Sequence, residues 1–168
     1  METLWTPWRI GYIVGEKKPG CPLCDKSKEP AEKDKENYIL QRREKCFVML
    51  NLFPYTNGHI MIAPYEHIGE LEALDAATFV QMGETCRSWV AVLKKTMEPQ
   101  GFNIGLNLGR VAGAGITDHV HIHIVPRWLG DVNFMSVLSD TRLIPEALDA
   151  TYDRLLNALN PVAMEGRG

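Results

Sequence analysis

Apolar and polar positions alternate along Tyr38–Gln41, Cys46–Asn51 and His59–Pro64, the period of strands with a buried face. Asn57-Gly58 predicts a tight turn into the third of these. From Asp75 to Met97 the period lengthens. Phe79, Met82, Cys86, Trp89, Val90, Leu93 and Met97 recur at three- and four-residue steps, which predicts one long amphipathic helix with these residues inward and Pro99-Gln100-Gly101 as its stop. Phe102–Leu108 returns to a strand pattern, Gly109–Gly115 forms a glycine-rich loop, and His119–Pro126 is the last strand. A final helix is expected from Pro145, which suits a first helical position, with Leu148, Tyr152, Leu155, Leu156 and Leu159 turned inward. A strand meander interrupted by a long helix implies an α+β fold: an antiparallel sheet of about five strands, with the long helix and the C-terminal helix on one face.

A chain of 168 residues that is 45% hydrophobic can bury one good core, so a single domain spanning 1–168 is expected. Within it, 1–36 forms an N-terminal arm with a cysteine knuckle, 38–127 the core, and 128–168 a C-terminal extension. Trp5, Trp8 and Tyr12 give the arm its packing residues, and the tail beyond Asn160 is expected to fray. Asp25–Asn37 is almost wholly charged and predicts a solvated loop or a short exposed helix. A formal net charge of −3 provides no general basic field, which argues against a nucleic acid polymer as partner and leaves room for a small anion bound by local groups. No apolar run approaches a membrane span and the first residues lack a secretory pattern, so no membrane partner is expected and the cytoplasm is the expected compartment.

The chemistry concentrates in His119-Val120-His121-Ile122-His123-Ile124-Val125. Alternation puts the three histidines on one strand face and Val120, Ile122 and Ile124 on the other. His59 and His67 complete the five histidines of the chain. Imidazole can serve near neutral pH as nucleophile, proton carrier or metal ligand. As nucleophile, a neutral ring offers one nitrogen lone pair when the other nitrogen donates its proton to a fixed acceptor. Cys21-Pro22-Leu23-Cys24 has the spacing of half a zinc site. Cys46 and Cys86 fall on apolar faces, where a free Cys packs as a small hydrophobe. The loop Asn107–Gly115 can bring backbone N–H groups close to phosphates, and it lacks the Gly-Lys-Ser/Thr ending of a P-loop. Three functions remain open on residues alone: covalent catalysis by a strand histidine, a zinc-dependent hydrolase with strand histidines as ligands, and a nucleotide-binding regulator with little turnover.

On these residues the chain resembles the histidine triad (HIT) family, whose signature alternates His with apolar residues as His119–Val125 does. The likeness runs from about Tyr38 to Arg127 and includes Asn51–His59 with Gly58 and Pro64, and Asn107-Leu108-Gly109 followed by Ala112-Gly113. Leu4–Arg9 and Pro126–Phe134 resemble the bacterial branch described as diadenosine tetraphosphate hydrolases or phosphorylases. What the resemblance implies is nucleotidyl transfer through a nucleotidyl-histidine on His121, with His123 and His59 completing the catalytic cluster. It implies a small nucleotide substrate, bound by Asn51 at the ribose, Met49 and Leu50 near the base, and Asn107, Gly113, Gly115 and Thr117 around the phosphates. The chain departs from the family where many members carry Gln then Ser or Thr ahead of the triad; here Gly115-Ile116 stands, so one side-chain phosphate contact is missing or comes from Thr117 or the backbone. Zinc-carrying relatives imply a structural Zn²⁺ held by Cys21, Cys24, His67 and His119, and family members commonly pair as homodimers.

Overall fold

The computed structural model describes residues 20–131, 144 and 146–159. Five strands form one antiparallel sheet in the order β1-β2-β3-β5-β4: β1 Ile39–Arg42, β2 Cys46–Leu50, β3 Ile60–Pro64, β4 Gly101–Leu106 and β5 Ile122–Arg127. Four α-helices accompany them among the described residues: α1 Pro22–Lys28, α2 Asp34–Asn37, α3 Ala76–Met97 and α4 Leu148–Leu159. The expected α+β architecture is present. Each apolar run pairs with its neighbour as its alternation requires, Met49 opposite Met61 and Met61 opposite His123.

The two sheet faces have separate jobs. Leu40, Cys46, Val48, Leu50, Ile60, Ile62, Val120, Ile122 and Ile124 pack on one side with Met82, Trp89 and Leu93 of α3 and Tyr152 and Leu155 of α4. Ile39, Phe47, Met49, Met61 and Ala63 point the other way, covered by Leu23 of α1. Trp89 carries its indole N–H into this packing and donates it to Gln41 Oε1 at 3.0 Å, which fixes α3 to β1 without an unpaired buried donor. Asp75 caps α3 by accepting from the Thr78 N–H at 3.0 Å.

Several expectations need correction. Phe79 is 46% exposed. The buried stripe of α3 runs through Thr78, Met82, Thr85, Trp89 and Leu93, and at 100° per residue Phe79 lies about 80° from its centre. Thr85 tolerates its inward place because its hydroxyl donates to Gln81 O at 2.7 Å. The last strand begins by hydrogen bonding at Ile122 rather than His119, and the strand before it ends at Leu106, leaving Leu108 exposed. The charged stretch after the cysteines forms short, mostly exposed helical turns, as expected, but it is tied to the sheet. Arg42 gathers it by donating to both Asp34 carboxylate oxygens, to Ser27 O at 2.7 Å and to Glu29 O at 2.9 Å, while Leu23 and Cys24 are buried. Trp5, Trp8 and Tyr12, the proposed helix start at Pro145 and the tail beyond Asn160 lie outside the described residues.

Gly58 closes the turn before β3 at φ +71°, and a Cβ there would meet Met97 Sδ at 2.5 Å. The positive φ favours glycine there, whereas Met97, a flexible side chain, could shift away from a Cβ. The same turn is held by Thr56, whose hydroxyl donates to Pro126 O at 2.7 Å. Asn57 holds it from the other side, donating to Glu146 Oε2 at 2.9 Å and accepting from the Thr151 hydroxyl of α4 at 2.9 Å.

Candidate active site and metal centre

Three histidines, His59, His121 and His123, meet at the start of β5, and hydrogen bonds to main-chain groups define their protons. A carbonyl can only accept, so the contact of His121 Nδ1 with His119 O at 2.8 Å places the proton on Nδ1 and leaves the lone pair on Nε2. Tyr55 N–H donates to His59 Nδ1 at 3.1 Å, so the neutral His59 ring carries its proton on Nε2. That nitrogen lies 2.9 Å from His123 Nδ1 and donates to it. The remaining proton of neutral His123 must then sit on Nε2. Beside a nucleophilic nitrogen on His121 there is thus an N–H donor on His123, with ring centroids 4.7 Å apart.

Burial keeps His121 and His123 neutral. His59 and His121 are 1% and 4% exposed. Desolvation is the largest cause lowering His121, partly offset by the His119 carbonyl that favours the charged ring. His123 is pushed down to about 4, first by burial and then by His121. Tyr55 also lays its ring over His59, centroids 4.9 Å apart.

His119 turns away from this cluster. Its Nε2–H donates to Pro64 O at 2.9 Å, which directs the Nδ1 lone pair at Cys21 Sγ, 3.3 Å away, and Cys24 Sγ, 3.4 Å away. His67 Nδ1 approaches Cys24 Sγ at 3.4 Å. All four donor atoms lie within 4.8 Å of one another. A tetrahedral zinc with thiolate and imidazole ligands needs donors roughly 3.5 Å apart, so the set fits. Burial and the neighbouring Cys21 thiol both push the Cys24 thiol up, which two adjacent sulfurs reverse only beside a cation. His119 also has the outer-shell carbonyl expected of a ligating histidine. Four protein donors close the coordination shell, which argues against an open catalytic metal built from the alternating histidines.

The other expected site residues fall around these two centres. Met49 lies on the histidine face with Met61, Ile39 and Ile116. Leu50 does not: alternation turns its side chain into the helix-covered core, where it is 1% exposed, so a side-chain contact to a base does not fit. Asn51 sits beside His59, its Nδ2 3.4 Å from the ring, while its Oδ1 accepts the Phe53 N–H at 2.9 Å. Asn107 follows β4, with Nδ2 3.9 Å from where a Cβ on Gly113 would stand. Gly115 and Thr117 are exposed, and the Thr117 hydroxyl is engaged with Asp118 Oδ1 at 3.1 Å. The loop's amides turn inward. Ala112 and Ala114 N–H donate to Gly109 O, both at 3.3 Å, and Gly113 N–H donates to Arg110 O at 3.1 Å. Sequence reading missed Tyr55, whose role rests on its backbone N–H and leaves no side-chain signature, and Ile116, whose apolar neighbours come from distant strands.

A family model described as the HIT domain matches residues 32–128. A curated relative named AP-4-A phosphorylase, from Mycobacterium tuberculosis, is 35% identical over 157 residues, covering 90% of this chain and 80% of its own length. A bis(5'-nucleosyl)-tetraphosphatase (asymmetrical) from Schizosaccharomyces pombe is 28% identical over 93 residues, 55% of this chain and 50% of that one. Among solved structures, a Zn-bound histidine triad family protein from Mycobacterium smegmatis superposes with TM-score 0.66 at 24% identity, covering 87% of this chain and 97% of its own. With the alternating histidines at the start of β5 and matches this extensive, the chain belongs to the HIT domain, or histidine triad, family.

Proposed function

We propose that this protein is a nucleotidyl-transfer enzyme that cleaves dinucleoside polyphosphates such as diadenosine tetraphosphate, or simpler nucleoside phosphates, through a covalent bond to His121. The carrying observation is the lone pair on His121 Nε2, fixed by the His119 carbonyl at 2.8 Å. His121 Nε2 attacks the α-phosphorus as the bond from phosphorus to the leaving oxygen breaks, and His123 Nε2–H gives that oxygen its proton. Water or inorganic phosphate then attacks the nucleotidyl-histidine, returning a proton to His123 and regenerating His121. Proton transfer by His123 contributes roughly 10²–10⁴-fold. His59 keeps His123 in the donating tautomer. Asn51 would take the ribose, Met49 the base, and Asn107 with Gly113, Gly115 and Thr117 would surround the phosphates.

The test is rapid-quench trapping with labelled diadenosine tetraphosphate, with and without inorganic phosphate. The parent protein should yield a nucleotidyl-protein that His121→Ala never forms. ADP plus ATP as products would assign phosphorolysis; full turnover by His121→Ala would overturn the reading.

We further infer that Cys21, Cys24, His67 and His119 hold a structural zinc ion, supported by their donor geometry and by a Zn-bound fold neighbour. Bound there, the metal supplies a fixed positive charge that ties the segment before α1 to the sheet. A homodimer is part of the proposal. What supports it is β4, a sheet edge with Asn103, Ile104 and Gly105 exposed, an arrangement that invites strand pairing. Light scattering should return twice the chain mass; a monomer at micromolar concentration would count against it. No described helix is long and apolar enough to cross a membrane, and all four cysteines are free, which supports the cytoplasm as compartment.

A further inference from the structure

Accepting the proposed reaction leaves a question of charge. A dinucleoside polyphosphate brings several negative charges, yet Asn51 and Asn107 carry no charge, and the His59, His121 and His123 rings are engaged as donors or acceptors with one another and with the main chain. The loop amides of Ala112, Gly113 and Ala114 are bonded within the loop itself. Beside the loop, a cleft of about 590 Å³ is lined by Gly69, Glu70, Leu108, Gly109, Thr117 and Asp118, and its two carboxylates repel phosphate from that flank.

One guanidinium answers this need. Arg110 opens the 3-10 turn Arg110–Ala112, between Asn107 and the histidines. It is exposed, and among the described residues its side chain has no hydrogen bond or ion pair. Arg42, Arg127 and Arg154 are by contrast paired with Asp34, Asp131 and Glu146. Its turn follows β4, where Gly105 pairs with His123 and Leu106 with Ile122, so Arg110 stands four residues beyond the strand position beside the histidines, between Gly109 at φ +77° and Gly113 at φ +92°. Guanidinium matches phosphate oxygens two at a time.

We propose that Arg110 binds the phosphates beyond the α-phosphate and so selects long-chain nucleotides over nucleoside monophosphates. This rests on the proposed function of the same site and deepens it by naming the feature that distinguishes substrates.

Equilibrium binding tests it in a His121→Ala background, where no turnover occurs, without divalent cations, using AMP and diadenosine tetraphosphate as probes. Arg110→Ala should weaken the tetraphosphate at least about tenfold, the loss of one charged hydrogen-bonding group, and change AMP by less than about twofold. Arg110→Lys should recover part of the difference, because a point charge replaces a fork. Equal weakening of both probes, no weakening of either, or a parent affinity for the tetraphosphate no greater than for AMP overturns the proposal. Circular dichroism melts confirm that the exposed substitution leaves the fold intact. The trapping experiment with His121 present reports separately on the catalytic reading, so the two can fail independently.

Discussion

At the scale of single residues, the site depends on keeping imidazoles uncharged. His123 falls from 6.5 to about 4 because burial, and then His121, disfavour its cation. The unfolded chain therefore takes up this proton first. Stability contributed by neutral His123 is complete above 6.5 and is lost as pH falls toward about 4. Thermal melts should show Tm declining across that window, and a Tm flat through it would contradict the assignment. Turnover should persist as pH drops through 6.5, since neither buried ring has yet taken a proton. The alternation His-Val-His-Ile-His made the shared face legible in the sequence, but not what each ring touches. His119 and His121 are two residues apart, yet one aims its Nδ1 at Cys21 and Cys24 and the other binds a carbonyl. That divergence comes from χ angles and from partners that arrive only on folding.

Among elements, α4 reaches further into function than its place at the far end of the sequence suggests. Thr151, 1% exposed, sets its hydroxyl 2.9 Å from Asn57 Oδ1 and 2.7 Å from Glu146 Oε2, the two acceptors sharing its one proton. Asn57 belongs to the turn that presents the Tyr55 N–H to His59. Thr151→Val keeps shape but removes that proton, leaving Glu146 Oε2 the Asn57 Nδ2–H and Asn57 Oδ1 without its donor, at a cost of about 1–3 kcal/mol. Urea denaturation should detect that loss, with a fall in single-turnover rate as the turn loosens; unchanged stability would show the contacts to be incidental. The strands and α3 were readable from periodicity because their partners lie in regular register. The docking of the stretch Asp25–Asn37 was not, because its composition matches a solvated surface and only Arg42, on another element, reveals the contact. Leu50 shows the same limit from the other side: a position within a recognisable motif still obeys the two-residue period that buries it.

For the whole molecule, the four proposed metal donors come from the segment before α1, from α1, from the loop after β3 and from the approach to β5. One ion bound there would join parts of the chain up to 98 residues apart. Purified protein should carry equimolar zinc by elemental analysis. Removing it with a chelator should lower Tm and open the segment around α1 to protease, because the ion's binding energy is then lost from folding. Equal melting with and without metal would refute a structural role. Activity should fall with the fold rather than at once, since no step of the reaction needs an open coordination position.

The acid–base chain has an unusual mutational grammar. Its two orienting groups, the His119 carbonyl and the Tyr55 amide, belong to the polypeptide itself. Side-chain scanning is therefore blind to both, with one exception: proline lacks the amide hydrogen. A Tyr55→Pro variant would silence the first link while Tyr55→Ala spares it, separating what the ring contributes by stacking from what the main chain contributes by donating.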